Sequence, residues 1–244
     1  MKKFVFFGKK KPTYYQGVLE RADQGVHQQI ADILSSRIGK KAKVLDLGAG
    51  KGASTQRLLD LGYEVMAADV DPDDYAADPS VFYSIDFNDE KQVDLLVAKF
   101  KGSFDAVIGV EVIEHVENPW AYVRLMKSLL KVGGWLVIST PNVTSWLSRW
   151  YFLLRGRFHQ FSDGDVSYGH IAPIAAFELD LILNREGFSE ISIEPAGVLP
   201  PVYLQKSPRI LIANFIMLLL RPFLSGVKDG WCIIAVAQKG ESSQ

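Results

Sequence analysis

Short apolar runs alternate with amphipathic stretches over the first two thirds of the chain. Residues 44–47, 64–68, 81–85, 104–109 and 136–139 read as strands, rich in aliphatic, β-branched or aromatic side chains. Residues 54–61, 90–100 and 119–130 lie between them and read as helices. Gly62 stops the first of these, and Pro119 suits a first helical turn. Gly133 and Gly134 are expected to turn the chain into the fifth strand. Upstream, Val26, Ile30, Ile33, Leu34 and Ile38 give residues 18–38 a helical period that ends at Gly39, behind an irregular arm over 1–16. Strands alternating with helices through short links predict a parallel sheet covered on both faces.

After residue 140 the alternation breaks. Residues 142–161 hold Trp146, Leu147, Trp150, Tyr151, Phe152, Leu153 and Leu154 with Arg149, Arg155 and Arg157. A polar loop is expected over 162–169, a helix over 174–185 ending at Gly187, and a strand over 188–193. Residues 198–227 form a second insertion, and 231–237 read as the last strand. The chain is expected to be one domain over 1–244: an arm and helix at 1–41, and insertions 142–170 and 198–227 as a lid over the acceptor.

Composition narrows the function classes. A length of 244 residues and 48% hydrophobic content support one large core. Twenty-seven basic and 28 acidic side chains leave a formal charge of -1, so no overall basic field argues for nucleic acid. Lys2, Lys3 and Lys9 to Lys11 read as a solvated tail, and the apolar start is too short for a signal peptide. The single cysteine, Cys232, rules out an intrachain disulfide and sits in a core-like run. A cytoplasmic protein is expected.

Residues 44–52, Val-Leu-Asp-Leu-Gly-Ala-Gly-Lys-Gly, describe a buried strand entering a glycine-rich turn that opens a helix. Such a turn lets backbone approach a nucleotide-like ligand. Asp69 ends the second strand, where a carboxylate can hold ribose hydroxyls; Asp71 lies past the strand end and is the weaker candidate. Asp46 to Gly52, Asp69, Asp86 and Gly109 to His115 all fall at carboxyl ends of strands, where such sheets bind ligands. The glycines follow Asp-x-Gly-x-Gly-x-Gly, not the Gly-x-Gly-x-x-Gly of dinucleotide turns.

This pattern resembles the class I S-adenosylmethionine-dependent methyltransferases. The resemblance continues through Phe104-Asp-Ala-Val-Ile108, the Glu111–His115 segment, Gly133-Gly134 and Ser139-Thr-Pro-Asn142, over roughly residues 25–195. It is nearest to the ubiquinone-biosynthesis O-methyltransferase branch. It implies an α/β three-layer sandwich with a seven-stranded, mostly parallel sheet and an antiparallel last strand. It also implies S-adenosylmethionine as cofactor, held by Asp46, Gly48, Ala49, Gly50, Gly52, Asp69, Val70, Asp86, Phe87, Gly109 and Glu111. Asp46 would support the methionine end, Asp69 the ribose, and Asp86 the adenine amino group, with Phe87 over the ring. The ordinary readings are a helix cap for Asp46, a turn for Asp69 or Asp71, and surface charge for Asp86.

Glu111, Glu114 and His115 follow the fourth strand, at spacings that share one face on a helical turn. A hydroxyl acceptor needs a base or a cation to stabilise its developing charge. Two mechanisms fit. His115 acts as general base, oriented by Glu111 or Glu114. Alternatively Glu111, Glu114, His115 and His170 bind a divalent cation, magnesium or zinc. The second arrangement resembles metal-assisted O-methyltransferases. The expected reaction is methyl transfer to a hydroxyl of a small molecule: a quinone precursor, a sugar or a lipid-linked glycan. N- or carboxyl-methylation, or cofactor binding without turnover, are the alternatives. Tyr14, Tyr15, Arg21 and His27 are candidates for an arm that caps the cofactor; a surface role for His27 is the ordinary reading. Tyr168 and Asn142 are pocket candidates by position.

Residues 210–220 are almost wholly apolar and bracketed by Arg209 and Arg221. Eleven helical residues reach about 16 Å, short of a bilayer core of about 30 Å. This segment and 146–161 are expected either to pack on each other, to form a homodimer face in place of a monomer, or to touch the inner face of a membrane peripherally.

Overall fold

The computed structural model describes residues 12–199 and 208–240. Residues 1–11 of the expected arm, with its lysines, and residues 200–207 of the second insertion lie outside them. The strands are β1 Thr13–Tyr15, β2 Val18–Glu20, β3 Lys43–Leu47, β4 Glu64–Asp69, β5 Phe82–Ser84, β6 Phe104–Val110, β7 Leu130–Pro141, β8 Phe188–Ala196 and β9 Cys232–Lys239. The α-helices are α1 Val26–Ser35, α2 Ala53–Asp60, α3 Glu90–Phe100, α4 Pro119–Leu129, α5 Trp146–Arg155, α6 Asp163–Ser167, α7 Ala176–Arg185 and α8 Pro208–Leu220.

Seven strands form one sheet in the order β5-β4-β3-β6-β7-β9-β8. Pairs from β5 to β7 are parallel, and β9 runs antiparallel between β7 and β8. The chain builds outward from β3 through β4 and β5, then returns to lay β6 on the other side of β3. The carboxyl ends of β3 and β6 therefore flank the point where strand order reverses, the place where open α/β sheets make a crevice.

Alternation along each strand divides the core in two. Leu45, Leu47, Val107, Leu136 and Ile138 face α3, α4 and α7 through Leu96, Met126, Leu129, Ile182 and Leu183. Val44, Ala106, Ile108, Val137 and Ile234 face α1 and α2 through Val26, Ile30, Leu34 and Leu58. Full burial of each large aliphatic side chain contributes about 1.5–3 kcal/mol. Asp46 lies two residues after Val44, on the α2 side. α3 begins at Asp89, whose side chain accepts from Lys91 and Gln92 N–H; α4 begins at Asn118, which accepts from Ala121 N–H, with Pro119 next.

Several local expectations need correction. Residues 13–20, read as arm and helix start, form the β1–β2 hairpin, and the helix begins only at Val26. Gly133 and Gly134 do not precede the fifth strand: they lie within β7, where its register against β6 shifts. The stretch read as a polar loop holds α6, closed by reciprocal bonds between Ser162 and Asp165. The two insertions pack on each other, with Trp146, Leu147 and Met217 in one small core and Trp150, Leu199, Leu224 and Trp231 against it. Among the described residues no helix is long and apolar enough to cross a membrane.

Candidate functional site

A cavity of about 1340 Å³ opens over the carboxyl ends of β3, β4 and β6. Its floor is the turn after β3. Gly48, Gly50 and Gly52 have φ of 92°, 51° and 85°, in the left-handed region where other residues are strained. Gly52 also stands against a neighbour, since a Cβ there would come within 2.6 Å of Ala77 Cβ.

Two aspartates hold this floor. Asp69 accepts from the N–H of Gly50 through Oδ2 and of Val70 through Oδ1, both at 2.7 Å. Asp46 is 1% exposed and accepts from Thr55 Oγ1 at 2.7 Å; its Oδ1 has no protein partner. Burial pushes its carboxyl up to about 7, with Asp69 adding to the rise and the Thr55 hydrogen bond opposing it. A buried carboxyl whose second oxygen has no protein partner fits a cationic ligand group.

Asp86 and Phe87 line the same cavity, and Asp86 Oδ1 accepts from Asn88 N–H at 2.9 Å. Asp71 instead accepts from the N–H groups of Asp73 and Asp74, which is its turn reading. Ala49, Gly50 and Val70 line the cavity; Gly52 and Gly109 do not. Gly109 makes room for Tyr122, whose hydroxyl donates to the Leu47 carbonyl at 2.7 Å.

The hairpin and the turn after it form one wall. Tyr15 donates to Asp60 at 2.8 Å, and Arg57 pairs with Glu20 at 2.8 Å. Arg21 and Lys51 both pair with Asp74. Tyr14 is exposed. His27 is buried and not a surface residue: its Nδ1 shares a hydrogen bond with Ser54 Oγ at 2.7 Å, and Nε2 has no partner. Burial, the largest effect, lowers its pKa to about 4.

The same cavity is lined by a titratable cluster. Glu111, with φ of 55°, turns sharply out of β6. Its carboxylate accepts from Ser139 Oγ at 2.7 Å and from Cys232 Sγ at 3.2 Å. It therefore leaves the face expected for it. Glu114, His115 and His170 do meet: each offers a ligand atom within 4.8 Å of the others. Glu111 is outside this group, so the expected four become three.

Glu114 is fully buried on the turn Ile113–His115. Its Oε2 accepts from Thr140 Oγ1 at 3.1 Å, and Oε1 has no protein partner. Burial, then the nearby Glu111 charge, raises its carboxyl well above the usual range. Its backbone carbonyl accepts from both Ile171 and Ala172, at 2.9 Å, which pins the His170 segment to this turn. His170 Nδ1 lies 2.9 Å from the Gln160 carbonyl, so it is the protonated nitrogen and Nε2 is left to accept. Burial lowers His115, followed by the effect of His170. Gly169 allows the close approach, since a Cβ there would lie 2.9 Å from His115 Nδ1. A carboxylate and two imidazoles suit a divalent transition metal or zinc.

Tyr168 lines the cavity near His115. Asn142 does not: its amide donates to the carbonyls of Val227 and Asp229, joining the roots of the two insertions. The sequence reading missed Thr55, Asp23, Gln160 and Trp231. Asp23 accepts from Val198 N–H at 2.6 Å and lines the cavity with Gln160 and Trp231. Thr55 had a local signal, nine residues after Asp46 on the helix that the glycine turn opens.

The chain resembles known proteins. It is 39% identical over 117 residues to a ubiquinone biosynthesis O-methyltransferase of Xanthomonas campestris pv. campestris, covering 46% of this chain and 49% of that one. The same named protein of Xanthomonas axonopodis pv. citri is 41% identical over 111 residues, covering 42% and 44%. The chain thus spans about half the length of the curated relatives it matches. A methyltransferase structure from Archaeoglobus fulgidus superposes with a TM-score of 0.62 at 20% identity, covering 88% of this chain and 93% of that one. A Burkholderia thailandensis 1,6-didemethyltoxoflavin-N1-methyltransferase superposes with a TM-score of 0.57 at 18% identity, covering 90% and 80%. At such identities the structures share the fold alone. The profile of the family described as "Methyltransferase domain" matches residues 19–193. The chain belongs to this family and has the class I S-adenosylmethionine-dependent methyltransferase fold.

Proposed function

We propose that the protein transfers methyl from S-adenosylmethionine to a hydroxyl of a small molecule, at a divalent metal site made by Glu114, His115 and His170. The observation that carries the reading is Glu114: fully buried, one oxygen without a protein partner, beside two imidazoles. A group so placed gains most from a cation. Bound metal would supply positive charge that lowers the acceptor hydroxyl's pKa. The O-methyltransferase name of the sequence relatives supports an oxygen acceptor.

Bound in the same cavity, S-adenosylmethionine would supply an electrophilic sulfonium methyl. Asp46 would receive its ammonium end, Asp69 its ribose hydroxyls, and Asp86 its adenine amino group beside Phe87. Gly48, Ala49, Gly50 and Val70 offer backbone and small side chains along it. In the transfer, the acceptor oxygen forms a bond to the methyl carbon as the carbon–sulfur bond breaks, and S-adenosylhomocysteine departs. The acceptor's proton leaves to solvent. Glu111 orders the β6 end through Ser139 and Cys232 and stays outside the metal shell.

A second reading follows from His115 itself. Its lowered pKa keeps it neutral near pH 7, as a general base must be. The test is S-adenosylhomocysteine release with catechol, sugar and amine acceptors, before and after chelation and zinc or magnesium restoration. Hydroxyl-dependent release lost on chelation and regained with metal supports the proposal. Release unaffected by chelation leaves His115 as base, and release with amines alone overturns oxygen transfer.

A further inference from the structure

We infer that the unit made by α5 and α8 is a docking surface for an anionic lipid bilayer. The inference rests on this surface and is independent of the acceptor's identity. Only Met217 of the described α8 side chains is buried, against Trp146 and Leu147. Ile212, Phe215, Leu218, Leu219 and Leu220 are exposed, and beyond the helix Phe223 is 84% exposed. On α5, Phe152, Leu153 and Leu154 are exposed in succession. An ordinary surface helix turns one apolar stripe inward and a polar face outward. α8 is apolar on both sides, so its outer side has an unmet need for an apolar medium.

Charge selects the medium. Residues 146–161 and 208–228 contain Arg149, Arg155, Arg157, Arg209, Arg221 and Lys228 and no aspartate or glutamate, in a chain whose formal charge is -1. Arg157 pairs with Asp163 and Arg221 with Asp229, each acid lying just past its segment. Arg155 is exposed beside the apolar run. Exposed Arg155 and Arg157 beside the aliphatic and aromatic side chains of α5 match acidic headgroups above acyl chains. A second copy of the same face would bring these exposed arginines towards their own copies, which opposes symmetric pairing. α8 has 13 residues. Such a helix reaches about 20 Å against a hydrocarbon core of about 30 Å, so it lies along the interface.

The two helices act as one unit. Beyond their shared core, Arg149 donates to the Thr144 carbonyl at 2.7 Å and to the Ser225 carbonyl at 2.6 Å. Trp231 packs on that core and also lines the cavity, so the surface adjoins the site.

The experiment is co-sedimentation of the full chain with phosphatidylcholine vesicles, with and without phosphatidylglycerol, alongside sedimentation velocity without lipid. The protein is expected to pellet with phosphatidylglycerol vesicles and to be released by high salt. Leu219→Glu with Phe223→Glu should abolish pelleting. Arg155→Ala, at an exposed position, should weaken partitioning about fivefold. Unchanged circular dichroism melting and S-adenosylhomocysteine binding establish that the variants are folded; if the double variant melts early, the Arg155→Ala ratio and salt release decide. Equal recovery in the supernatant with both vesicle types overturns the inference. So does a lipid-free dimer that the double variant dissociates while neither form pellets.

Discussion

His115 and His170 meet edge to face, with ring centroids 4.8 Å apart and planes at 89°. Fifty-five positions separate them in sequence, and the link is the Glu114 carbonyl, which holds the 171–172 backbone. The imidazoles are thus delivered by two segments to one buried carboxylate.

Zinc or cobalt titration of the protein should show one tight site. Glu114→Gln and His170→Ala should each remove it, seen as loss of the cobalt d–d spectrum with the melting curve retained. Thr140→Val, which takes away the hydroxyl that orients Glu114, should weaken metal affinity about 10–100-fold. Unaltered affinity in Glu114→Gln would falsify the three-ligand assignment.

Asp46 should make stability fall with pH. Its folded pKa is raised from 3.8 to about 7, so the folded state holds the extra proton between those values. The contribution is complete below the unfolded pKa and is lost as pH rises through the folded one. Urea unfolding at intervals from pH 4 to pH 8 should show this slope in the difference between the wild type and Asp46→Asn, a difference that removes the opposing His27 contribution common to both. A cationic ligand meeting Asp46 favours its charged form, so S-adenosylmethionine binding near pH 7 should release protons. Calorimetry in buffers of different ionisation enthalpy measures the number.

His27 works in the opposite direction. Its folded pKa is depressed from 6.5 to about 4. The stability it contributes is present above 6.5 and is lost as pH falls through about 4. His27→Gln should therefore reduce the acid-side loss in the same unfolding series. An unchanged acid limb would count against a neutral buried imidazole.

Asp69→Ala should weaken S-adenosylhomocysteine binding about 10–100-fold, the scale of hydrogen bonds to a charged group. It also removes the acceptor for Gly50 and Val70 N–H. Hydrogen exchange at those two amides should rise, which distinguishes loosening of the turn from loss of a ribose contact alone.

Gly52→Ala should destabilise the fold by about 1–3 kcal/mol, from a left-handed φ in a residue with a Cβ. The new methyl would also press on Ala77 and Tyr75. Gly39→Ala, with open space around it, is the control. Denaturant midpoints at constant m-value compare the two.

The sheet was legible because its strands carry their own period. Val44 and Leu45 already point to opposite cores, and Asp46 interrupts the run where only a ligand or a helix start would explain it. Glu111 shows where such reading stops. Spacing put it beside Glu114 and His115 as if on a helix, but its positive φ rotates it to Ser139 and Cys232. Backbone sign at one residue has no spacing signal. Asn142 and Gln160 are similar: their partners are carbonyls 71 to 88 residues away, which no local pattern encodes. The hairpin over 13–20 was obscured by its brevity, two strands of three residues each.

Trp231 belongs both to the cavity wall and to the small core under α5 and α8. One face of the indole therefore reports on the other. Fluorescence of this tryptophan is a natural gauge of whatever presses on the helices from outside and whatever fills the site from within. Mechanically it is a shared partition: one side chain bounds the space open to a guest and the seat of the outer helices.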